Sequence, residues 1–333
     1  MNDLVTAARA TLLGGALGDA LGEPVEFLSR EAMPADLRPG PHISDDTQMT
    51  LFTAEGLIRA RLGGGAVSAE LFAAYRRWLL TQDRGYFDAA DGWLLGQRDL
   101  WAQRAPGLTC LSALRRDVPG TVEEPRNNSK GCGGVMRAAP AGFLADPEAA
   151  YRVGCDLAAL THGHPSGWVA AGALAMLVHL TAVAGRPLVD ALPQVTDRVA
   201  VTPGGEEVLA ALTSAVRAAA ATPADFRVLA TLGEGWVAEE TLAIAVYAVL
   251  SHPDDARAAL RLAVAHDGDS DSTGAVAGNL FGAGGGALPA DWLAGLELAD
   301  VIGRVAEDLV AALHGTPQGL IVRYPAAGYP QAG

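Results

Sequence analysis

The chain has 333 residues, half of them hydrophobic but only 6% aromatic, and carries a formal charge of −14. Phosphate affinity rests on clustered Lys and Arg, and with no such cluster in the chain general nucleic-acid binding is excluded. Ala, Leu, Val and Gly dominate, which favours close helix packing through small side chains over an aromatic-rich sandwich, so the expected class is all-α.

Three cysteines, Cys110, Cys132 and Cys155, form no C-x-x-C pair, so neither a disulfide framework nor a zinc ribbon is indicated and a reducing cytoplasm fits. The N-terminus does not read as a signal peptide. An apolar run over 167–184 brushes the length of a membrane span, but His179 and Thr181 interrupt it and it lacks flanking belts, so a buried central helix and no membrane are expected.

Leu4, Ala7, Ala8, Leu12, Leu13, Ala16, Leu17 and Leu21 recur at helical spacing and predict a helix over 3–21, stopped by Gly22 and Pro24. The following loop holds Glu26 between Val25 and Phe27; a carboxylate so placed either faces solvent or is held near neutral pH for chemistry. A Pro-rich loop then delivers Ser44-Asp45-Asp46-Thr47-Gln48 to a helical face traced by Leu51, Ala54, Ile58 and Leu62. Asp45 and Gln48 suit a capping box, but one oxygen suffices for a cap, and two Asp flanked by hydroxyls point to metal ligation.

Segments 68–83 and 89–103 read as helices, with Asp91 at the start of the second, where capping is its default role. The loop 123–130 runs into Gly131-Cys132-Gly133-Gly134-Val135-Met136-Arg137, whose glycines let backbone N–H groups converge on an anion while Lys130 or Arg137 adds charge. Its spacing is not that of a P-loop. A helix over 147–161 ends at Thr161-His162-Gly163-His164; without a third nitrogen or sulfur ligand, hydrogen bonding to a ligand is the modest role for His162. Further helices are expected at 165–184, 187–201, 204–221, 236–250, 253–265 and 291–314, and residues 317–333 read as a Pro/Gly-rich loop.

The densest chemistry lies at His266-Asp267-Gly268-Asp269-Ser270-Asp271-Ser272-Thr273, where alternating carboxylates repel unless a cation sits among them. An EF-hand loop beginning at Asp267 would need Gly and Glu where the chain has Ser272 and Gly278. Gly274, Gly278 and Gly282 then recur every four residues, a flat helical face for another backbone. If this stretch meets Ser44–Asp46, the site gathers four carboxylates and two hydroxyls, a set that prefers Mg²⁺ or Mn²⁺ over Zn²⁺ and suits two ions. The chemistry is then hydrolytic, with phosphoester and glycosidic bonds both open.

Taken together, Gly14 to Gly22 with Glu26, Ser44 to Thr47, Gly131 to Arg137, Thr161-His162 and Asp269 to Ser272 resemble the ADP-ribosylhydrolase family, in consistent order from about residue 8 to residue 285. The resemblance implies a single compact all-α domain over 1–316, followed by the 317–333 tail, with a di-metal cleft that cleaves ADP-ribose from an amino-acid side chain. By matching position, Ser44, Asp45, Asp46, Asp269, Asp271 and Ser272 become ligands of two Mg²⁺ (or Mn²⁺), and Glu26 the mobile-loop glutamate beside the scissile bond. Ser129, Lys130, Gly131, Cys132, Gly133, Gly134 and Met136 belong to the loop around the diphosphate, His162 lies near the ligand, and Asp91 matches an acidic residue of some members. Cys132 stands where several relatives carry Asn, and Ser272 where many carry Thr. The implied partner is an ADP-ribosylated protein, arginine-linked as the first expectation, or a small molecule containing ADP-ribose; a serine linkage, O-acetyl ADP-ribose and a silent ADP-ribose-binding relative are the alternatives.

Overall fold

A computed structural model describes residues 2–87, 92–317 and 319–325. The helices are α1 (Asn2–Gly22), α2 (Asp45–Gly63), α3 (Val67–Asp83), α4 (Leu108–Leu114), α5 (Pro147–Ala159), α6 (Pro165–Val178), α7 (Leu188–Ala200) and α8 (Glu206–Ala221). They continue with α9 (Phe226–Leu229), α10 (Ala238–Ser251), α11 (Ala256–Ala263), α12 (Ser270–Ala283), α13 (Ala290–Leu293), α14 (Ala299–His314) and α15 (Leu320–Arg323). Among the described residues there is no strand, and one backbone bridge joins Gly131 to Val237. The all-α expectation is met.

The centre of the packing is the antiparallel pair α1 and α12, from opposite ends of the chain. A Cβ at Gly14 would run into the Gly278 carbonyl, one at Gly18 into that of Gly274 and one at Gly22 into that of Ser270, and the same holds in reverse for Gly274 and Gly278. Glycine is therefore required on both faces, and the two backbones touch directly. Around them pack α2, α10, α11 and α14. Helix α6, apolar on all sides, lies against α5, α8 and α10, and its span with the π-helical turn His179–Val183 is 89% buried, as a core helix must be.

Three stretches differ from their expected elements. Of 89–103, residues 89–91 lie outside the described residues and the rest is turns with one 3₁₀ turn, Arg98–Leu100. Gly92 there takes a left-handed φ of 107°, and the Trp93 N–H bonds to the Arg323 carbonyl at 3.0 Å rather than within a helix. The helix expected over 291–314 is two pieces, because Leu298 adopts φ 57° and redirects the chain before α14. Within the segment expected as a loop, Leu320–Arg323 is helical and packs onto the body. Arg323 grips Asp308 at 2.8 and 2.7 Å, the Tyr324 hydroxyl donates to Asp308 at 3.0 Å, and Arg59 donates to the Pro325 carbonyl at 2.7 Å.

Candidate active site

The site begins where α1 passes the start of α2. Asp19, fully buried in α1, accepts from the Ser44 N–H at 2.9 Å, the Thr47 N–H at 3.1 Å and the Thr47 hydroxyl, and so fixes the entry to α2. Ser44 caps that helix by accepting from the Asp46 N–H at 3.2 Å. Asp45 is held from both sides: its N–H donates to the Arg104 carbonyl at 3.1 Å, and its carboxylate accepts from the Gly107 N–H at 3.3 Å. Glu297 ties down the same corner, accepting from the Ile43 N–H at 3.1 Å and pairing with Arg104 at 3.0 Å.

The contact of α1 with α12 delivers the second acidic group. Asp269 caps α12 by accepting from the Ser272 N–H at 3.3 Å, and Asp271 accepts from the same N–H at 2.9 Å. Glu26, on the turn after α1, completes the cluster: the carboxylates of Glu26, Asp269 and Asp271 present oxygens within 4.8 Å of one another, and all three residues are buried. The Glu26 turn is tied to this end of the chain, since the Arg30 N–H donates to the Asp267 carboxylate at 2.5 Å. Outside the cluster, Phe27 stacks on Trp236 with ring centroids 6.0 Å apart, and both rings are exposed.

The electrostatics follow from this convergence of α1, the start of α2 and the start of α12. Burial pushes the Asp46 carboxyl well above the usual range, and the charges of Asp271, Asp45, Asp19 and Asp269 push it further. Asp45 and Asp269 are raised in the same way, by burial first and Asp271 second. Asp19 rises to about 7 and Glu26 to about 8, again from burial and then Asp271. Carboxylates packed this closely must take up protons or share a cation.

Asp46 Oδ2 tests whether a cation fits: it is buried and has no hydrogen-bond partner. A buried, unpartnered carboxylate oxygen within electrostatic reach of Asp271, Asp45, Asp19 and Asp269 suits a hard divalent cation. The residues present therefore fit a metal.

The glycine-rich loop lies against this cluster. Cys132 Sγ is 2.7 Å from Asp269 Oδ2, and its thiol is pushed well above the usual range by burial, then by Asp269 and Asp46. Ser272 Oγ lies 3.9 Å from the Met136 sulfur. The Gly131 N–H donates to Ser129 Oγ at 3.3 Å and the Cys132 N–H to the Trp236 carbonyl at 3.2 Å, so these two groups are engaged by the chain itself. A Cβ on Gly133 would come within 2.9 Å of the His162 ring, which places His162 directly behind the loop. His162 is buried, its pKa lowered to about 3 by burial and then by Arg137, and its Nδ1 lies 2.8 Å from Thr161 Oγ1.

Both cations assigned to an anion from the sequence have other work. Lys130 Nζ is held by Glu207 at 2.7 Å and by Glu239. Arg137 is completely buried and donates to the Gly133 carbonyl at 2.7 Å, the Leu157 carbonyl at 3.1 Å and Thr161 Oγ1 at 2.7 Å, beneath the Tyr75 ring. It braces the loop from behind. Asp91 lies outside the described residues. The residue that sequence reasoning missed is Asp19; its signal was a carboxylate inside the apolar second half of α1, seven positions before Glu26.

Comparison with known proteins agrees with this geometry. The family model for ADP-ribosylglycohydrolase matches residues 1–319. The chain is similar to ADP-ribosyl-(dinitrogen reductase) glycohydrolase of Rhodospirillum rubrum, 27% identical over 302 residues that cover 87% of this chain and 90% of that one. A solved structure titled as an ADP-ribosylglycohydrolase-related protein complex superposes with a TM-score of 0.59 at 25% identity, covering 94% of this chain and 99% of that one. The chain thus belongs to the ADP-ribosylglycohydrolase family and is a hydrolase of glycosidic bonds.

Proposed function

We propose that the chain cleaves the glycosidic bond between ADP-ribose and a protein side chain, arginine first, with two Mg²⁺ or Mn²⁺ held by Ser44, Asp45, Asp46, Asp269, Asp271 and Ser272. The observation that carries this reading is the meeting of Glu26, Asp269 and Asp271 in one buried cluster, to which the unpartnered Asp46 carboxylate is electrostatically coupled. When bound, the ions supply positive charge to ribose hydroxyls and an activated water.

The chain's own residues supply the rest. A Glu26 carboxyl held near pH 8 sits where a proton can be given to, or taken from, the bond being cut. Ser129, Lys130, Gly131, Cys132, Gly133, Gly134 and Met136 form the wall for the diphosphate and proximal ribose, Lys130 through its backbone because its ammonium is paired with Glu207 and Glu239. His162 supports that wall as a neutral ring, its Nδ1 2.8 Å from Thr161 Oγ1, which also accepts from Arg137. Asp91 is retained as a second acidic candidate. A strongly acidic protein binds an anionic diphosphate this way without a basic patch. Three free cysteines fit action in a reducing cytoplasm.

A panel of arginine-, serine- and O-acetyl-linked ADP-ribose with Mg²⁺ or Mn²⁺ tests the reading. Release of intact ADP-ribose from the arginine substrate supports it, release only from the others moves the linkage, binding without release makes the chain a silent relative, and AMP release would identify a phosphohydrolase.

A further inference from the structure

Three parts of the candidate site are tied to one short segment, residues 233–237, that belongs to none of them. The Glu234 carbonyl accepts from the Asp269 N–H at 2.8 Å, at the start of α12. The Trp236 carbonyl accepts from the Cys132 N–H at 3.2 Å, and the Ala238 N–H donates to the Lys130 carbonyl at 2.9 Å, so the segment is also bound to the glycine-rich loop. From the other side, the Glu240 carboxylate accepts from the Glu234 and Gly235 N–H groups at 3.0 and 3.2 Å, and the Thr241 hydroxyl donates to the Gly235 carbonyl at 2.7 Å. The backbone of Trp236 is thereby fixed, while its ring, 40% exposed, stands at the surface and stacks on Phe27.

Phe27 follows Glu26 directly and is 76% exposed, so burial in the core does not fix it. Among the described residues no hydrogen bond reaches the Glu26 carboxylate, and its place depends on the turn that carries it. Beyond the Leu28 N–H bond to the Val25 carbonyl at 2.9 Å, that turn is pinned at two points: Phe27 lies on Trp236, and Arg30 donates its N–H to Asp267 while its guanidinium lies 3.2 Å from the centroid of the Phe226 ring. We propose that Trp236 is a positioning residue for Glu26: its ring, carried on a backbone bound to the glycine-rich loop, holds the Glu26 turn against the acidic cluster through Phe27. The proposal rests on the reading of Glu26 as the group that moves a proton at the bond being cut, and adds what keeps it there. Because the contact with the glycine-rich loop is made by the Trp236 backbone, removing the ring frees the Glu26 turn and leaves the wall for the diphosphate in place. A displacement of about 1 Å is enough to slow a reaction about 100-fold.

The test uses the full chain with Trp236→Ala, Phe27→Ala and Trp236→Phe, read by amide hydrogen exchange over residues 26–31 and by turnover of an arginine-linked ADP-ribosyl peptide with Mn²⁺. Exchange over 26–31 should quicken about 2–10-fold in both alanine variants, the weight of one aromatic pair, and stay near the parental rate in Trp236→Phe, which keeps a stack. In Trp236→Ala kcat should fall about 10–100-fold while KM changes less than about threefold, and Trp236→Phe should restore kcat to within about threefold of the parent. Added to Glu26→Gln, Trp236→Ala should cost nothing further. Unchanged exchange in both alanine variants overturns the proposal. An equal loss of kcat in the Glu26→Gln background also overturns it, as does a KM rise as large as the kcat loss, which would make the ring a surface for substrate. If Trp236→Ala does not fold, Phe27→Ala removes the same stack from an exposed position. A Glu26→Gln variant as fast as the parent overturns the reading of Glu26 and not the tie to Trp236, which the exchange rates decide on their own.

Discussion

Gly18 of α1 and Gly274 of α12 meet backbone to backbone, with no room for a Cβ on either side. This contact sets the distance between Asp19, one residue beyond Gly18, and the acidic start of α12. Gly274→Ala must separate the helices, because the obstacle is the Gly18 carbonyl and not a flexible side chain. The expected loss is about 1–3 kcal/mol in urea unfolding, the usual cost of overpacking. Gly63→Ala at the end of α2, where a Cβ meets nothing within 4 Å, is the control and should stabilise by about 0.5–1 kcal/mol. Equal effects at the two positions would contradict the packing account.

Arg137 satisfies two carbonyls and a hydroxyl from within the core. Arg137→Met fills similar space but strands those acceptors, so stability should fall by about 3 kcal/mol and the substrate KM should rise as the Gly133 turn loosens. A normal KM in a stable variant would remove the bracing role.

Glu26 and Asp19 predict an unusual pH response in the metal-free protein. A carboxyl raised on folding binds more protons in the native than in the unfolded state between its ordinary and raised values, so stability falls as pH rises across that interval. The intervals run from 4.5 to about 8 for Glu26 and from 3.8 to about 7 for Asp19. His162 and His266, lowered by burial to about 3 and about 4, act in the opposite sense below their ordinary 6.5, so the clean window lies above it. In chelator, the melting temperature should drop between pH 6.5 and 8, and saturating Mn²⁺ should remove most of the drop. A flat or rising profile in chelator would show that the carboxyls are not mutually raised.

Much of this was legible in the sequence, for identifiable reasons. The four-residue spacing of Gly274, Gly278 and Gly282 marked a face for a close backbone, and the pairing of small residues with carboxylates marked both helix starts. The pairing of the Lys130 ammonium was not legible because its partners, Glu207 and Glu239, lie 77 and 109 residues away, where no local pattern points. Asp19 was passed over because a carboxylate in an apolar helix declares its use only through the neighbour it anchors, here Ser44 and Thr47. The 89–103 stretch differs because its contacts are long-range: Trp101 packs edge-on against Tyr86 and Phe87 from the preceding segment, and the Trp93 N–H bonds to the Arg323 carbonyl, rather than along a helix.

Glu26→Gln keeps the shape of the side chain and removes its proton chemistry. Bound ADP-ribosylated peptide should be retained with nearly the parental affinity while kcat falls about 10²–10⁴-fold. An unchanged kcat would take Glu26 out of the reaction.

The most direct measurement is the product released from an arginine-linked ADP-ribosyl peptide by the parent protein, Asp46→Asn and Asp269→Asn, each with Mn²⁺ and with chelator. The account predicts intact ADP-ribose from the parent with Mn²⁺ only, and almost none from either variant although both remain helical. Release at the same rate in chelator, or from both variants, would contradict a cation centre built by the two ends of the chain.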